Sequence, residues 1–404
     1  MLKESLYMLK RRIKGEKAIH RYIGNEEFIC SQIVERCFNG IFFQVSQGHF
    51  SNFYIRDFGM CIKALLKLGY KEEIERTLTY AMSNYAEFGK ITTTITPKIP
   101  IEKELKRLKN TDYHDIAFSR NEDNSCKDFF NIAPDSLAFL LYSLRVAKKY
   151  KINGLVEAYK PFLEREIQRY FNKIVVKANS KKGLVKKEYF SSMKDHAIRN
   201  SSCYDNCMLA MISKEADKLK LKNPFNAFDY KKLIRKYYWN AKKGYFKDDL
   251  DNDVATGDAN VFPYWCEIFA VVNSKGKIMN KKELKMLKQS VKAIQKNKLD
   301  KPFPLKYSNK KSSEYGRFLF WPSLFAKNYE GNTIWMHLGL CYLDIVACVD
   351  KKLLKKYLLS YKKQIEKYSN FLELYTEKGQ PYKSLFYLSD DSMLWCCKYL
   401  ELSK

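Results

Sequence analysis

The sequence predicts an all-α protein in a single domain, a toroid of six helical hairpins known as an (α/α)6 barrel. Apolar residues recur at helical spacing in about twelve segments, which largely fall into antiparallel pairs. Strand signals are few, and no low-complexity linker divides the chain. Carboxylates lie on inter-helix loops far apart in the sequence, a distribution that becomes useful only if those loops converge on one mouth.

The composition fits a large globular core with a basic surface. The chain has 404 residues, of which 46% are hydrophobic, and a formal charge of +28. Such a charge attracts polyanions. Most of it, however, comes from scattered lysines such as Lys181-Lys182 and Lys310-Lys311, whereas nucleic-acid readers concentrate arginine on one element. We interpret the charge as a solvated surface, with a site for an acidic substrate as the alternative and nucleic acid disfavoured.

The cysteines and the N-terminus predict an intracellular, cytoplasmic protein. Most of the eleven cysteines lie in apolar periodic segments, which favours free thiols in a reducing compartment. Neither Cys203 and Cys207 nor Cys396-Cys397 has zinc-site spacing, so we expect no metal and no other cofactor. Residues 1–17 lack the apolar region of a signal peptide. No apolar run approaches the ~20 residues of a membrane span. Nothing indicates an oligomeric state.

The elements follow from this periodicity. Gly69 is a predicted helix C-cap, Ile91–Ile95 is β-branched, and Lys182–Phe190 predicts a short hairpin. Residues 1–24 form a basic leader, expected to be a helix outside the toroid domain at 25–404. Periodicity alone permits either an open solenoid or a closed toroid. The predicted helices cover 26–39, 57–69, 71–88, 135–150, 155–173, 203–221, 229–240, 261–274, 281–296, 333–349, 351–368 and 388–401.

Two early junctions between loop and helix carry candidate functional residues. Tyr54, Arg56 and Asp57 directly precede or open an apolar helix. Asp57 could be an N-cap, but a cap does not explain the adjacent arginine and aromatic residues, which suit a ring bearing hydroxyls. Asp135 follows Pro134 at a helix start, where capping is an equally good explanation.

Three later junctions carry the remaining candidates. Asp195 precedes its helix by several residues, so capping explains it poorly. Glu373 has apolar neighbours on both sides, which argues against a fully exposed carboxylate. The other polar and aromatic candidates on these junctions are Arg199, Asp258, Asn260, Trp265, Tyr329, Glu330 and Trp335.

At these junctions the sequence resembles the six-hairpin toroid glycosidases: glucosidase and trehalase relatives (families 63 and 37), alkaline invertases (family 100) and the amylo-α-1,6-glucosidase part of glycogen debranching enzyme. Phe53–Phe58 resembles the aromatic-x-Arg-Asp-Phe segment that binds the sugar at the cleavage site. Met193–Arg199 is similar to the loop with the general acid, and Tyr329–Trp335 to a Tyr-x-x-Gly-x-x-Trp loop. Phe371–Tyr375, with Gly379 and Trp395, resembles the segment that supplies the base.

The resemblance implies an inverting glycoside hydrolase acting on an α-glucoside-like oligosaccharide. Asp195 would be the general acid and Glu373 the general base, with Asp135 as the rival acid. The two carboxyls would flank the bond about 6.5–9.5 Å apart. Two departures stand out. The family's acid loop has a glycine where Met193 or Lys194 stands, and the Lys194 charge would lower the pKa of Asp195 unless burial outweighs it.

Three rival classes remain open. A toroid that binds carbohydrate without hydrolysing it would lack the carboxylates. An epimerase or lyase would use paired histidines, and this chain has only five histidines, scattered along the sequence. A basic helical scaffold for an acidic polymer would explain the charge but not the Arg-Asp and Glu loops. The expected partner is therefore an oligosaccharide or glycoside, anionic if the surface charge is functional.

Overall fold

The computed structural model describes residues 2–97, 124–127, 132–178, 180–187, 193–194, 196–270, 280–311, 317–318 and 326–404. Side chains are described for all of these except 2–7, 124–127 and 317–318. Across these residues the structure is mainly helical. No helix among them is both long enough and apolar enough to span a bilayer.

Fourteen α-helices are formed by the described residues. Two short 3-10 helices add to them, at Gly15–Ala18 and Pro224–Ala227. The α-helices are α1 Leu2–Lys14, α2 Glu26–Cys37, α3 Ile55–Leu68, α4 Lys71–Phe88, α5 Pro134–Lys149, α6 Leu155–Ala158, α7 Lys160–Ile174, α8 Cys203–Lys218, α9 Tyr230–Tyr238, α10 Gly257–Trp265, α11 Lys281–Lys296, α12 Met336–Ala347, α13 Lys351–Tyr368 and α14 Cys396–Ser403.

Helices α3, α5, α8, α10, α12 and α14 form an inner ring. Each packs against the next in this order, and α14 packs back against α3, so the contacts close into a cycle. An open solenoid has no contact between its first and last repeats. The described residues therefore form a helical toroid.

The outer layer consists of α2, α4, α7, α9, α11 and α13. Helices α4, α7, α9, α11 and α13 each follow, and pack on, an inner helix. The partner of α14 is α2, near the other end of the chain. Outer helices α9 and α11 bury one face and expose their lysines, as an amphipathic surface helix should. Inner helix α5 is buried almost throughout its length.

Local sequence explains where the helices start, stop and approach closely. Gly69 ends α3 with a φ of 103°, which only glycine adopts at little cost, as the sequence predicted. Asn25 and Asp350 cap α2 and α13 by accepting hydrogen bonds from backbone N–H groups. A Cβ on Gly59 would lie 2.6 Å from the ring of Phe139, so glycine permits the tight contact of α3 with α5.

Short antiparallel strands connect the loops at the helix ends. They are β1 Phe53–Tyr54, β2 Thr94–Pro97, β3 Asn124–Lys127, β4 Ala197–Ile198, β5 Trp239–Asn240, β6 Tyr245–Phe246, β7 Arg317–Phe318, β8 Ile334–Trp335 and β9 Leu374–Tyr375. The pairings are β1-β2-β3, β4-β7, β5-β6 and β8-β9. Pairing of β8 with β9 holds Trp335 opposite Leu374 and so brings the Tyr329–Trp335 loop together with the Phe371–Tyr375 loop.

Several predicted helices differ from the structure: the helix predicted at 333 starts at Met336, the one predicted at 155–173 is divided into α6 and α7, and two other starts are further off. Helix α10 begins at Gly257 rather than 261, because the polar residues interpreted as a loop form its first turn. Helix α14 begins at Cys396 rather than 388, because residues 388–395 are buried in an extended loop. The strand signal at Ile91–Ile95 corresponds to β2, which starts at Thr94. The predicted hairpin at 182–190 is seen as a bridge from Val175 to Val185, and its end lies outside the described residues.

Candidate active site

A cavity of about 330 Å³ opens beside the N-termini of α3, α12 and α14. Its wall combines aromatic rings with charged and polar side chains. The lining residues are Met8, Val45, His49, Phe50, Tyr54, Arg56, Asp57, Met193, His196, Ala326, Tyr329, Glu330, Trp335, His337, Glu373, Phe386, Tyr387 and Trp395.

Glu373 lies in this wall with its carboxyl almost completely buried. Tyr329 donates a hydrogen bond of 2.7 Å to Oε1, while the Tyr387 hydroxyl and the backbone N–H of Asp390 (3.1 Å) donate to Oε2. Burial raises the pKa of Glu373 to about 7, and the nearby Asp390 charge raises it too, whereas the donors lower it. A carboxyl with this pKa can exchange a proton near neutral pH.

Arg56 lines the cavity and is held in place by a buried acid. Its Nε donates to Oδ2 of Asp135 at 2.6 Å, and the hydroxyl of Tyr204 donates to the same oxygen at 3.1 Å. Asp135 is fully buried in the first turn of α5 and does not line the cavity. The cap position of α5 is Ala133, so capping does not explain Asp135. Its described contacts instead join α3, α5 and α8.

Asp57 lies in the first turn of α3 and accepts a hydrogen bond of 2.9 Å from the indole Nε1 of Trp395. The cap position of α3 is Tyr54, so the capping alternative for Asp57 is wrong. Trp335 is anchored on the other side of the cavity by its indole N–H, which donates to the carbonyl of Tyr329 at 2.8 Å. Both indoles are thus oriented by polar contacts while their rings line the cavity.

His337 lies between the two indoles, with ring centroids 5.1 Å from Trp335 and 4.7 Å from Trp395. Burial lowers its pKa to about 3, and the charge of Arg56 acts in the same direction, so the imidazole is neutral near pH 7. Its Nε2 is near the Tyr307 hydroxyl, while its buried Nδ1 has no hydrogen-bond partner among the described residues. A neutral imidazole here can offer one nitrogen to a ligand.

The loop with the predicted general acid borders the same cavity. Met193 and His196 line it, whereas Asp195 lies outside the described residues. The backbone N–H of His196 donates to Oε2 of Glu330 at 2.9 Å, and its ring stacks on Tyr329. Met193 has a φ of 44°, a left-handed conformation in which glycine is preferred.

Lys194 and Arg199 belong to a buried ion cluster rather than to the cavity wall. Lys194 is 3.1 Å from Asp248 and 3.6 Å from Asp258, and Arg199 is 3.2 Å and 2.6 Å from the same two residues. Although burial opposes it, the two cations lower the pKa of Asp258 to about 2. Since two carboxylates face Lys194, its charge is balanced inside the cluster.

The structure brings seven of the thirteen predicted site residues into one cavity: Tyr54, Arg56, Asp57, Tyr329, Glu330, Trp335 and Glu373. It does not bring Asp135, Arg199, Asp258, Asn260 or Trp265 into the wall. The side chain of Asn260 forms hydrogen bonds with backbone groups of Phe246 and Thr256. Trp265 is the last residue of α10, and its indole N–H donates to the carboxylate of Asp344.

Sequence reasoning missed several lining residues, among them Met8, His49, His337 and Tyr387. His337 carried a usable signal, because a histidine opens an otherwise apolar helix two residues after Trp335. Tyr387 carried none, since many tyrosines surround it in the sequence and its contact with Glu373 depends on the fold of the 376–391 loop.

Comparisons with known proteins identify the fold. No family model and no curated protein sequence matches the chain. Solved structures do match. A rhamnosidase from Klebsiella oxytoca with rhamnose bound has a TM-score of 0.59 at 11% identity, covering 94% of this chain and 64% of that one. A GH78 rhamnosidase of Bacillus sp. GL1 has a TM-score of 0.55 at 13% identity, covering 93% and 34%. This chain thus spans less than two thirds of the length of either rhamnosidase.

A third match has similar length. The GH63 mannosylglycerate hydrolase from Thermus thermophilus, in complex with Tris, has a TM-score of 0.57 at 10% identity, covering 94% of this chain and 100% of that chain. At identities this low, the structural similarity identifies the fold but not the reaction. The chain has the fold of the α/α-toroid glycoside hydrolases, as the sequence resemblance implied.

Proposed function

We propose that this protein is an inverting glycoside hydrolase that cleaves an α-glycosidic bond, built as a single-domain six-hairpin toroid. The observation that carries the proposal is Glu373, a buried carboxyl on a cavity wall of aromatic and charged residues, with a pKa raised to about 7. Glycoside cleavage needs one ionised and one protonated carboxyl beside the bond. A toroid that only binds sugar has no use for such a carboxyl.

In the proposed mechanism, Glu373 removes a proton from the attacking water. Its three donors, from Tyr329, Tyr387 and the Asp390 backbone, favour the ionised form and fix the carboxylate in one orientation. The water would attack the anomeric carbon from the face opposite the leaving group. Inversion at that carbon follows from this single displacement.

Asp195 is the proposed general acid, which protonates the leaving oxygen. Its sequence neighbours Met193 and His196 line the cavity, which supports this role. Lys194 is engaged by Asp248 and Asp258 in the ion cluster, which supports a protonated Asp195 beside it. Glu330 is the rival, because it is a buried carboxyl on the same wall. Asp135, paired with Arg56, is proposed to position that arginine instead.

Arg56 and Asp57 are proposed to bind sugar hydroxyls, and Trp335 and Trp395 to provide ring faces. Charge-assisted hydrogen bonds to hydroxyls and stacking on indoles are the usual means of holding a pyranose. His337 adds a neutral hydrogen-bonding group between the two rings.

The first experiment measures sugar release from a glycoside panel. It contains sucrose, trehalose, maltose, α-mannosides, α-rhamnosides and anionic glycosides such as mannosylglycerate, because the charge of +28 favours acidic substrates. Proton NMR of the first product anomer reports the stereochemistry. We expect hydrolysis with inversion of an α-glycoside. A retained anomer would refute the mechanism, and no turnover of any member, with sugar binding intact, would favour a carbohydrate-binding toroid.

A second experiment separates the acid from the base. We expect Glu373→Gln to lower kcat at least ~10³-fold on every substrate, because the water then lacks its base. Asp195→Asn should be as damaging on natural glycosides, yet nearly active on a glycosyl fluoride, whose leaving group needs no protonation. Glu330→Gln is the matched control. If Glu330→Gln shows the fluoride-specific rescue and Asp195→Asn does not, the acid is Glu330.

We also propose that the protein works in the cytoplasm. Ten cysteines are described as free thiols, and nine of them are buried, which supports a reducing compartment. Mass spectrometry after alkylation of the unfolded, non-reduced protein should find these ten as thiols. Any disulfide among them would contradict this assignment.

A further inference from the structure

The N-terminal helix α1 contributes to the wall of the candidate active site. Met8 lines the cavity, and Arg11 lies one helical turn further along with its side chain only 9% exposed. The terminal guanidinium nitrogens of Arg11, Nη1 and Nη2, donate to Oδ2 of Asp391 at 3.1 Å, and Nη2 also donates to the carbonyl of Ser389 at 3.1 Å. Its Nη2 is 3.8 Å from Oδ1 of Asp390. The leader is thus joined to the loop after Tyr387.

That loop holds Glu373 through its backbone. The N–H of Asp390 donates to Oε2 of Glu373, and the carbonyl of Asp390 accepts from the backbone N–H of Glu373 at 3.0 Å. The Asp390 carboxylate turns the other way, accepting from the Ser46 hydroxyl and from the backbone N–H of Phe50. Asp390 therefore links the cation on α1 to the carboxyl of Glu373.

We propose that Arg11 is a positioning residue for the base Glu373: from α1 it balances the charges of Asp390 and Asp391 and holds the loop that orients the Glu373 carboxyl. This proposal rests on the proposed role of Glu373. Two buried carboxylates side by side repel each other and disfavour a third ionised carboxyl nearby. A buried arginine beside them reduces that cost, and its contact with the Ser389 carbonyl fixes the loop at the same point.

Apart from His49 and His196, which line the same cavity, the other described groups that face Glu373 do not replace this cation. Tyr329 and Tyr387 are neutral donors from two different loops. Arg56, at the start of α3, is engaged by Asp135. His337, on α12, is neutral. The remaining described carboxylates of the cavity wall, Asp57 and Glu330, carry the same sign as Glu373.

The test compares Arg11→Gln, Arg11→Lys and Arg12→Gln. Arg12 is the matched control, because it is adjacent on α1 and donates to the carbonyl of Ser384 without contacting Asp390 or Asp391 in the described structure. Two quantities are measured in each variant. One is the acid limb of kcat/KM against pH on the best substrate of the panel. The other is the titration of the Glu373 carboxyl by ¹³C NMR, with its resonance assigned by its loss in Glu373→Gln.

For Arg11→Gln we expect both midpoints to rise by about 0.5–1 pH unit, because the Asp390 charge is then less compensated. Arg11→Lys should stay close to wild type, and Arg12→Gln should not move. Unchanged midpoints in Arg11→Gln would overturn the proposal, and so would equal shifts in Arg11→Gln and Arg12→Gln, which would report loss of α1 docking. The NMR titration needs no turnover, so an inactive wild type would refute the glycosidase while leaving Arg11 testable.

Discussion

The pKa of one residue, Glu373, sets the expected pH dependence of this protein. Burial raises it to about 7, so the carboxyl is ionised above that pH and protonated below it. A general base must be ionised, so kcat/KM should fall as pH drops through about 7. A mechanism in which Glu373 were the acid would show the opposite limb.

The hydroxyl of Tyr387 offers a direct test of that limb. The hydrogen bond from Tyr387 stabilises the ionised carboxyl, so Tyr387→Phe should raise the pKa of Glu373 and move the acid limb to higher pH by about one unit. The pH profile of kcat/KM measures this. The matched control is Tyr382→Phe, whose ring packs beside Tyr387 while its hydroxyl donates to the carbonyl of Lys327. If the acid limb does not shift in Tyr387→Phe, the titration seen in kcat/KM belongs to a group other than Glu373.

At this scale the sequence predicted residues at the starts of inner helices, such as Arg56 and Trp335. These residues can be recognised from the local sequence, because polar and aromatic groups interrupt the apolar pattern of the helix there. Asp258 and Trp265 showed the same pattern and do not line the cavity. In Asp258 the carboxylate balances buried cations, a role that depends on Lys194 and Arg199 about sixty residues away and is invisible to local pattern.

Between elements, the most consequential contact is the ion pair that ties α3 to α5. Asp135→Asn should remove the countercharge that Asp135 supplies to the Arg56 guanidinium in a largely buried position, at a cost of about 3 kcal/mol in the free energy of unfolding. Urea denaturation measures this. Because Arg56 would also lose its orientation, KM should rise. The alkaline limb of the pH profile of kcat/KM, which reports the general acid, should not shift.

Tyr204→Phe is the control for that pair. It removes only the hydrogen bond that Tyr204 donates to Asp135 and should cost about 1 kcal/mol. A contrary pattern would be full stability in Asp135→Asn together with activity only on a glycosyl fluoride. That pattern would assign the general acid to Asp135, the alternative that the sequence left open.

Helix positions were the most predictable feature, since α4, α11 and α13 have the bounds that periodicity predicted. The misplaced start of α14 has a physical cause. Residues 388–395 are buried, but four of them are polar, and hydrogen bonds such as those of Ser389 and Ser392 hold the segment as an extended loop rather than a helix. The spacing of apolar residues indicates which residues are buried. Residues buried in an extended loop next to a helix can continue that spacing and be mistaken for part of the helix.

For the whole molecule, ring closure explains why residues from opposite ends of the chain share one cavity. Met8 and Trp395 both line it, because α14 packs on α2 and α3 and α1 packs on the loop before α14. The sequence could not establish this contact, since a solenoid has the same hairpins. The loops between hairpins predicted closure only on the assumption that their carboxylates act together.

Deleting residues 396–404 tests closure itself. In a solenoid, stability is about the sum of the repeats and their nearest-neighbour interfaces, so loss of a terminal helix costs one interface. In this ring α14 packs on α2, α3, α12 and α13, so its loss exposes apolar faces on both sides of the gap. We therefore expect the deletion to abolish the cooperative thermal transition followed by far-UV circular dichroism.

Deletion of residues 1–18 is the matched control, because α1 lies outside the ring. That variant should keep the transition at a slightly lower Tm and lose activity through the missing cavity wall. A truncated chain that ends at 395 and melts cooperatively near the Tm of the intact protein would mean that the ring contacts contribute little, and the toroid would then be held together as a solenoid is.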